Sequence, residues 1–278
     1  MSEDRQGALK IFDAIIKINP DARVVIRGAD IDTCEIEWHK GTTEISKEDI
    51  ILEIGPGTGN LTNKILDQAP KHLIIIEKDK ELINILKKKF GKNVEIINQD
   101  ILECYDNFKY NTPIKVFGNL PYNISTKILI SYIKIKELKK RFNKFIFIFQ
   151  KEVADRILAK DNSKNYGRLS ILSSWKMTPQ KVMDINPKFF SPKPKVWSSL
   201  ITLTPNIKFE QLKKEKSLEH ITNIFFNQRR KMIRKPMKQL FDNYEEIATK
   251  LNIDLNIRPQ NLSTKEYLEI CKFYEKLI

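Results

Sequence analysis

The chain has 278 residues, 41% hydrophobic and 30% charged, with 9 Gly and 12 Pro; it is long enough to bury a core and lies outside the collagen-like, mucin-like and disordered ranges. Its formal charge is +14, from 49 Lys and Arg against 35 Asp and Glu, a surplus that attracts polyanions such as nucleic acid. Three cysteines, Cys34, Cys104 and Cys271, are too few and too far apart for a disulfide framework or a zinc site, so no metal is expected.

The charge is unevenly spread. Residues 1–50 hold 11 acids and 7 bases, a net of −4, which leaves 42 bases and 24 acids, a net of +18, for the rest. This front part offers a candidate amphipathic helix, Gln6 to Ile18, and the apolar run Arg23-Val24-Val25-Ile26-Arg27, but no chemical motif. Residues 1–47 are therefore set apart as an atypical acidic segment. No uncharged apolar run approaches the roughly 18 to 20 residues of a membrane helix, and the start lacks the basic and apolar regions of a signal peptide. A cytoplasmic location is expected.

From Asp49 a regular alternation begins. Ile50 to Ile54 reads as a strand, Gly55-Pro56-Gly57-Thr58-Gly59 as a turn, and Asn60 opens a helix. A second strand at His72 to Glu77, a helix at Lys80 to Phe90 and a third strand at Val94 to Ile97 follow. Next come a strand at Lys115 to Phe117, a helix at about Ser125 to Lys136 and a fifth strand at Phe145 to Phe149. Strands alternating with helices predict parallel pairing with right-handed crossovers, hence an α/β, doubly wound sheet covered on both faces. A helix at Leu169 to Trp175 and a last strand pair, Lys181 to Ile185 and Ser199 to Thr204, end this domain at 48–205. Beyond Pro205 only helical periods remain, so 206–278 reads as a small helical domain.

Ligands of such sheets sit at the carboxyl ends of the strands, which puts Gly55, Gly57 and Gly59 where a nucleotide-like cofactor binds. Their spacing, G-x-G-x-G, is neither a dinucleotide fingerprint nor a phosphate loop. Glu77, at the end of the second strand, is placed to accept both hydroxyls of a ribose, and Asp100, after the third, an exocyclic amine. An adenosine-bearing cofactor without a pyrophosphate follows. The fourth strand runs into Gly118-Asn119-Leu120-Pro121-Tyr122 at the same rim. A nucleobase amine is a poor nucleophile because its lone pair is delocalised; held by the Asn119 amide oxygen and the Pro121 carbonyl, it can turn that pair on an electrophile. Tyr122 is expected to stack on the base, so that positioning supplies most of the rate.

The run E-I-G-P-G-T-G-N-L-T, the acid pair Glu77 and Asp100, N-L-P-Y-N-I-S-T, F-Q-K-E-V-A-D-R-I at Phe149 to Ile157, Y-G-R-L-S at Tyr166 to Ser170 and F-S-P-K-P-K-V-W-S-S at Phe190 to Ser199 together resemble the ribosomal RNA adenine N6-dimethyltransferase family. The resemblance covers about Asp49 to the C-terminus. It implies a Rossmann-like methyltransferase sheet with a C-terminal helical RNA-binding domain, S-adenosyl-L-methionine as cofactor, and dimethylation of adenosine N6 in rRNA. It further implies that Gly55, Gly57, Gly59, Glu77, Asp100, Ile101 and Asn119 line the cofactor pocket, that Asn119, Pro121 and Tyr122 position the adenine, and that Phe190 stacks on it. Phe225-Phe226-Asn227-Gln228-Arg229-Arg230-Lys231-Met232 is similar to the signature of the branch that dimethylates two adjacent adenosines in the 3′-terminal hairpin of small-subunit rRNA, as distinct from the macrolide-resistance branch, which modifies the large subunit. A monomer working in ribosome biogenesis is expected.

Lys208 to Lys238 holds ten Lys and Arg against Glu210, Glu215 and Glu219, which predicts a phosphate-binding surface carried by Arg229, Arg230, Lys231 and Arg234, with Lys193, Lys195 and Arg168 extending it. One departure stands out: family members start with a basic segment bearing a G-Q-N-F-L-like motif, and none is present in residues 1–47. A non-catalytic rRNA-binding assembly factor is therefore the alternative reading. A nicotinamide-dependent oxidoreductase fails on the glycine spacing and explains neither N-L-P-Y nor the charge.

Overall fold

The computed structural model describes residues 44–190 and 194–277. The expected helix from Gln6, the run 23–27 and Lys193 lie outside them. Seven strands form one sheet: β1 (Ile50–Ile54), β2 (His72–Glu77), β3 (Glu95–Asn98), β4 (Ile114–Asn119), β5 (Phe142–Gln150), β6 (Met177–Ile185) and β7 (Ser198–Pro205), in the order β3-β2-β1-β4-β5-β7-β6. The first five pair in parallel. β7 runs antiparallel to β5, with Gln150 opposite Ser198 and Phe145 opposite Leu203, so the sheet is mixed rather than wholly parallel.

Helices fill the connections: α1 (Asn60–Leu66) follows β1, α2 (Lys80–Phe90) β2, the short α3 (Ile101–Cys104) β3, and α4 (Ser125–Ile133) and α5 (Leu138–Arg141) β4. α6 (Lys151–Leu158) and α7 (Arg168–Lys176) separate β5 from β6, and α8 (Glu215–Asn227), α9 (Arg234–Leu240), α10 (Tyr244–Lys250) and α11 (Thr264–Leu277) complete the chain.

Strand alternation explains the layers. In β5, Ile146 and Ile148 join the core under α1 and α2 with Leu61, Ile65, Leu86 and Phe90. Phe145, Phe147 and Phe149, which point the other way, are fully buried and pack in sequence, tilted at 5.7 Å and edge-on at 6.0 Å. A strand apolar on both sides is what a sheet covered on both faces requires.

The chain divides into two compact units: the described residues up to Ala154 with Gln180–Pro205, and Asp155–Pro179 with those from Asn206 onward. Residues 155–179 thus belong with the helices and not, as the sequence reads, with the 48–205 domain. The reason lies in α7, which is buried almost all round, from Leu169 to Lys176. Trp175 Nε1 donates to the Glu210 carbonyl at 2.7 Å, and the buried Lys176 ammonium meets Glu215 at 2.6 Å. In the same unit Phe225 packs edge-on against Tyr267 at 5.3 Å. Among the described residues no helix is long and apolar enough to cross a membrane.

Candidate active site

The turn after β1 is held from both sides. Gly55 N donates to Ile76 O of β2 at 2.9 Å and Gly59 N to Pro56 O at 2.9 Å. Gly55, Gly57 and Gly59 all have positive φ. Gly59 is required twice over, because at φ +79° a Cβ would also lie 2.5 Å from the Phe90 ring. In front of Gly55 and Gly57 a Cβ would meet nothing within 4 Å, so open space faces the loop where a ligand can approach the backbone. Lys89 Nζ braces the far side, donating to Thr58 O at 3.0 Å and Gly59 O at 3.3 Å.

Beneath the turn sits Glu53, 1% exposed, which accepts a 2.6 Å bond from Thr62 Oγ1 of α1. Burial pushes its carboxyl up to about 7, against the opposing pull of the Thr62 hydroxyl and the Lys89 charge. Burial in turn lowers the Lys89 ammonium, and Glu53 resists that shift.

At the end of β2, Glu77 Oε1 accepts from the backbone N–H of Lys78 at 2.8 Å and of Asp79 at 3.0 Å. Its second oxygen has no such bond among the described residues. Asn98 Nδ2 ties β3 to the same turn through Glu77 O and Lys78 O. Asp100 caps α3: Oδ1 accepts from Leu102 N at 3.0 Å and Oδ2 from the exposed Lys78 Nζ at 3.0 Å. The Leu102 amide, then Lys78, holds this carboxyl below the usual carboxylate range. Ile101 is buried in the first turn of α3.

β4 ends in Asn119, which is exposed. Gly118 permits the bend, since a Cβ there would lie 2.6 Å from the side chain of Leu120, which folds back over it. Tyr122 is half-buried, its hydroxyl 2.8 Å from Ser198 Oγ. The Pro121 carbonyl accepts from Ile124 N at 3.1 Å and Ser125 N at 3.0 Å. Its two lone pairs are spent on the first turn of α4, so it is not the free acceptor expected from the sequence. Phe190 is half-buried and packs with Phe189 against the core cluster; it is not a fully exposed platform.

Glycine loop, Glu77, Asp100 and Asn119 thus stand at the carboxyl ends of four adjacent parallel strands, β1 to β4. Open space before the loop and an unspent carboxylate oxygen two strands from Asn119 fit an adenosine-bearing cofactor.

The family model for ribosomal RNA adenine dimethylase matches residues 39–276. The chain belongs to that family. It is 50% identical over 247 residues to the ribosomal RNA small subunit methyltransferase A of Pelagibacter ubique, covering 89% of this chain and 94% of that one. It is 46% identical over 225 residues to its namesake in Ehrlichia ruminantium, covering 79% and 84%. Among solved structures, a dimethyladenosine transferase from Plasmodium falciparum superposes with a TM-score of 0.66 at 26% identity, covering 84% of this chain and 92% of that one. The 23S rRNA methyltransferase ErmE shares the fold, with a TM-score of 0.60 at 19% identity, covering 83% and 93%. The family match starts at residue 39, a little inside the segment that the sequence motifs leave unmatched.

In the helical unit of this adenine dimethylase the predicted basic residues divide. Arg230 and Lys231 are exposed. Arg229 is a staple: its guanidinium donates to Gln260 Oε1 at 3.3 Å and to Lys164 O. Arg234 pairs with Glu245 at 2.9 Å, and Arg168 donates to Asn223 Oδ1 at 3.0 Å. Lys195 is exposed in the sheet unit. Sequence reasoning missed Glu53, Thr62, Lys89 and Ser198. A Glu at the penultimate position of an otherwise apolar β1 was the available signal for the first of them.

Proposed function

We propose that the chain is an S-adenosylmethionine-dependent enzyme that dimethylates N6 of two adjacent adenosines in the 3′-terminal hairpin of small-subunit rRNA, and that it serves ribosome biogenesis as a cytoplasmic monomer. The observation that carries this reading is the exposed Asn119 at the end of a central strand, one strand from the glycine loop and three residues from an anchored Tyr122. The small-subunit target is supported by the names of the Pelagibacter and Ehrlichia relatives and by Phe225 to Met232.

S-adenosylmethionine supplies an electrophilic methyl group when bound. The chain's own residues position. Glu77 Oε2 and Asp100 would hold the cofactor by accepting from its ribose and adenine amine, with Lys78 giving up its place on Asp100. Asn119 Oδ1 accepts one N6 proton of the target base, and a main-chain carbonyl of the Asn119–Leu120 turn, rather than that of Pro121, accepts the other. Tyr122 and Phe190 flank a base taken out of its stack, which is costly in a duplex and cheap in a loop. No residue has to remove a proton before transfer: the N6–CH3 bond would form as the S–CH3 bond breaks, leaving S-adenosylhomocysteine, and the cationic N6 would then lose one proton to water in each round, so orientation carries the rate. Arg230, Lys231 and Lys195 meet phosphates, with Arg229 and Arg234 shaping the surface.

Equilibrium titration with S-adenosylmethionine and NADH, followed by transfer of labelled methyl to small and to large ribosomal subunits, tests this reading. It predicts binding of the first ligand alone and transfer to small subunits. Transfer only to large subunits would move the chain to the macrolide-resistance branch, and subunit binding without transfer would leave an assembly factor.

A further inference from the structure

β7 begins at Ser198, whose side chain is fully buried. Ser198 Oγ lies 2.8 Å from Tyr122 OH. Ser198 is therefore where the start of β7 is tied to the turn that carries Asn119 and Tyr122.

The tie has a rigid footing. Ser198 pairs with Gln150 at the end of β5, and the next residue of that strand's continuation, Lys151, donates its N–H to Trp197 O at 2.8 Å. On the other side, Ser199 Oγ donates to Asp184 Oδ1 at 2.5 Å, while Lys151 Nζ and Lys181 Nζ reach Asp184 Oδ2 at 2.7 and 3.4 Å. Burial pushes the Asp184 carboxyl up, and Lys151 with Ser199 more than offsets this, so it stays ionised and keeps all three donors. The first two residues of β7 are thus fixed by β5, β6 and α6 before Tyr122 is added. Tyr122, by contrast, is half-buried at the exposed rim, and its phenol has only this one hydrogen bond among the described residues.

We infer that Ser198 is a positioning residue for the methyl-transfer reaction: by holding the Tyr122 hydroxyl it fixes the aromatic ring proposed to stack on the target adenine. This rests on the function proposed above. Ser198 touches neither substrate nor cofactor in this account. Its effect passes through the ring of Tyr122, and with it the line along which N6 approaches the methyl group. A neutral hydrogen bond of about 1 kcal/mol, lost from the oriented state alone, slows transfer about fivefold.

The test is a double-mutant cycle of Ser198→Ala and Tyr122→Phe in the full chain, read by the single-turnover rate of methyl transfer to small ribosomal subunits, with subunit and S-adenosylmethionine affinities and thermal unfolding measured alongside. Each single variant is expected to slow transfer about fivefold while both affinities stay within about twofold. The double variant is expected to be no slower than Tyr122→Phe alone. Losses that multiply, an unchanged rate in Ser198→Ala, or a loss confined to affinity would overturn the inference. A wild-type chain that transfers no methyl sinks the proposed function instead; the same cycle in unfolding then still reads the bond, and absence of coupling there shows that Ser198 does not hold Tyr122.

Discussion

Glu53 offers the sharpest physical test of how the glycine turn is supported. Its carboxyl lies 1% exposed under the loop and titrates at about 7 instead of its ordinary 4.5. At about 1.4 kcal/mol per pKa unit, this rise corresponds to about 3 kcal/mol. The sign follows from proton binding: the folded chain holds this proton more tightly than the unfolded one, so the contribution is complete below pH 4.5 and is lost as the pH rises to about 7. Glu53→Gln keeps an acceptor for the Thr62 hydroxyl and has no proton to lose. The stability difference between Glu53→Gln and wild type should therefore move in favour of the variant by about 3 kcal/mol between pH 4.5 and 7 and level off near pH 8. Urea unfolding at half-unit steps measures it, and subtraction removes carboxyls such as Asp100 that titrate alike in both proteins. A difference that does not change with pH would refute the assignment of a buried, protonated Glu53. Lys89→Met, which removes the cation that lowers this carboxyl, should push the window upward.

Asn119→Ala should abolish methyl transfer while leaving rRNA binding within about threefold, because Asn119 is exposed and its proposed partners are the cofactor and the target base rather than the RNA backbone; filter binding beside the transfer assay checks this, and equal loss of both would make Asn119 structural. Gly59→Ala should cost more than about 2 kcal/mol, backbone strain adding to a clash with the Phe90 ring, whereas Gly55→Ala meets open space and should cost only the strain of about 1 kcal/mol; equal unfolding midpoints would contradict the packing described for Gly59. The pair Arg230→Ala and Lys231→Ala should lower the slope of log affinity against log salt by about 2 with the fold intact. Arg229→Ala should instead lose about 2 kcal/mol of stability by breaking its bonds to Gln260 and Lys164.

What was legible followed from periodicity and punctuation. Glycines after β1, acids after β2 and β3 and Asn119 after β4 could be read in order because each closes a strand whose apolar run is plain. The placement of α7 is not legible, because chain continuity with β5 and β6 says nothing about where a helix of mixed apolar and serine residues is buried. The Pro121 carbonyl was miscast because its two bonds to α4 depend on a helix start that no cap residue marks: the position before α4 is Ile124, with no side-chain cap. Arg229 looked like its neighbours Arg230 and Lys231, and only the partners Gln260 and Lys164, distant in sequence, make it a staple. Ser198 was invisible for the same reason, since its bond to Tyr122 spans 76 residues.

The most direct measurement is nucleoside analysis of small-subunit rRNA that lacks the 3′-terminal adenine methylations, after incubation with the chain and S-adenosylmethionine. Two adjacent N6,N6-dimethyladenosines in the terminal hairpin are the predicted product. Tight binding of the subunit with no dimethyladenosine would contradict the account of Asn119, Tyr122 and the cofactor rim as a working methyltransferase site.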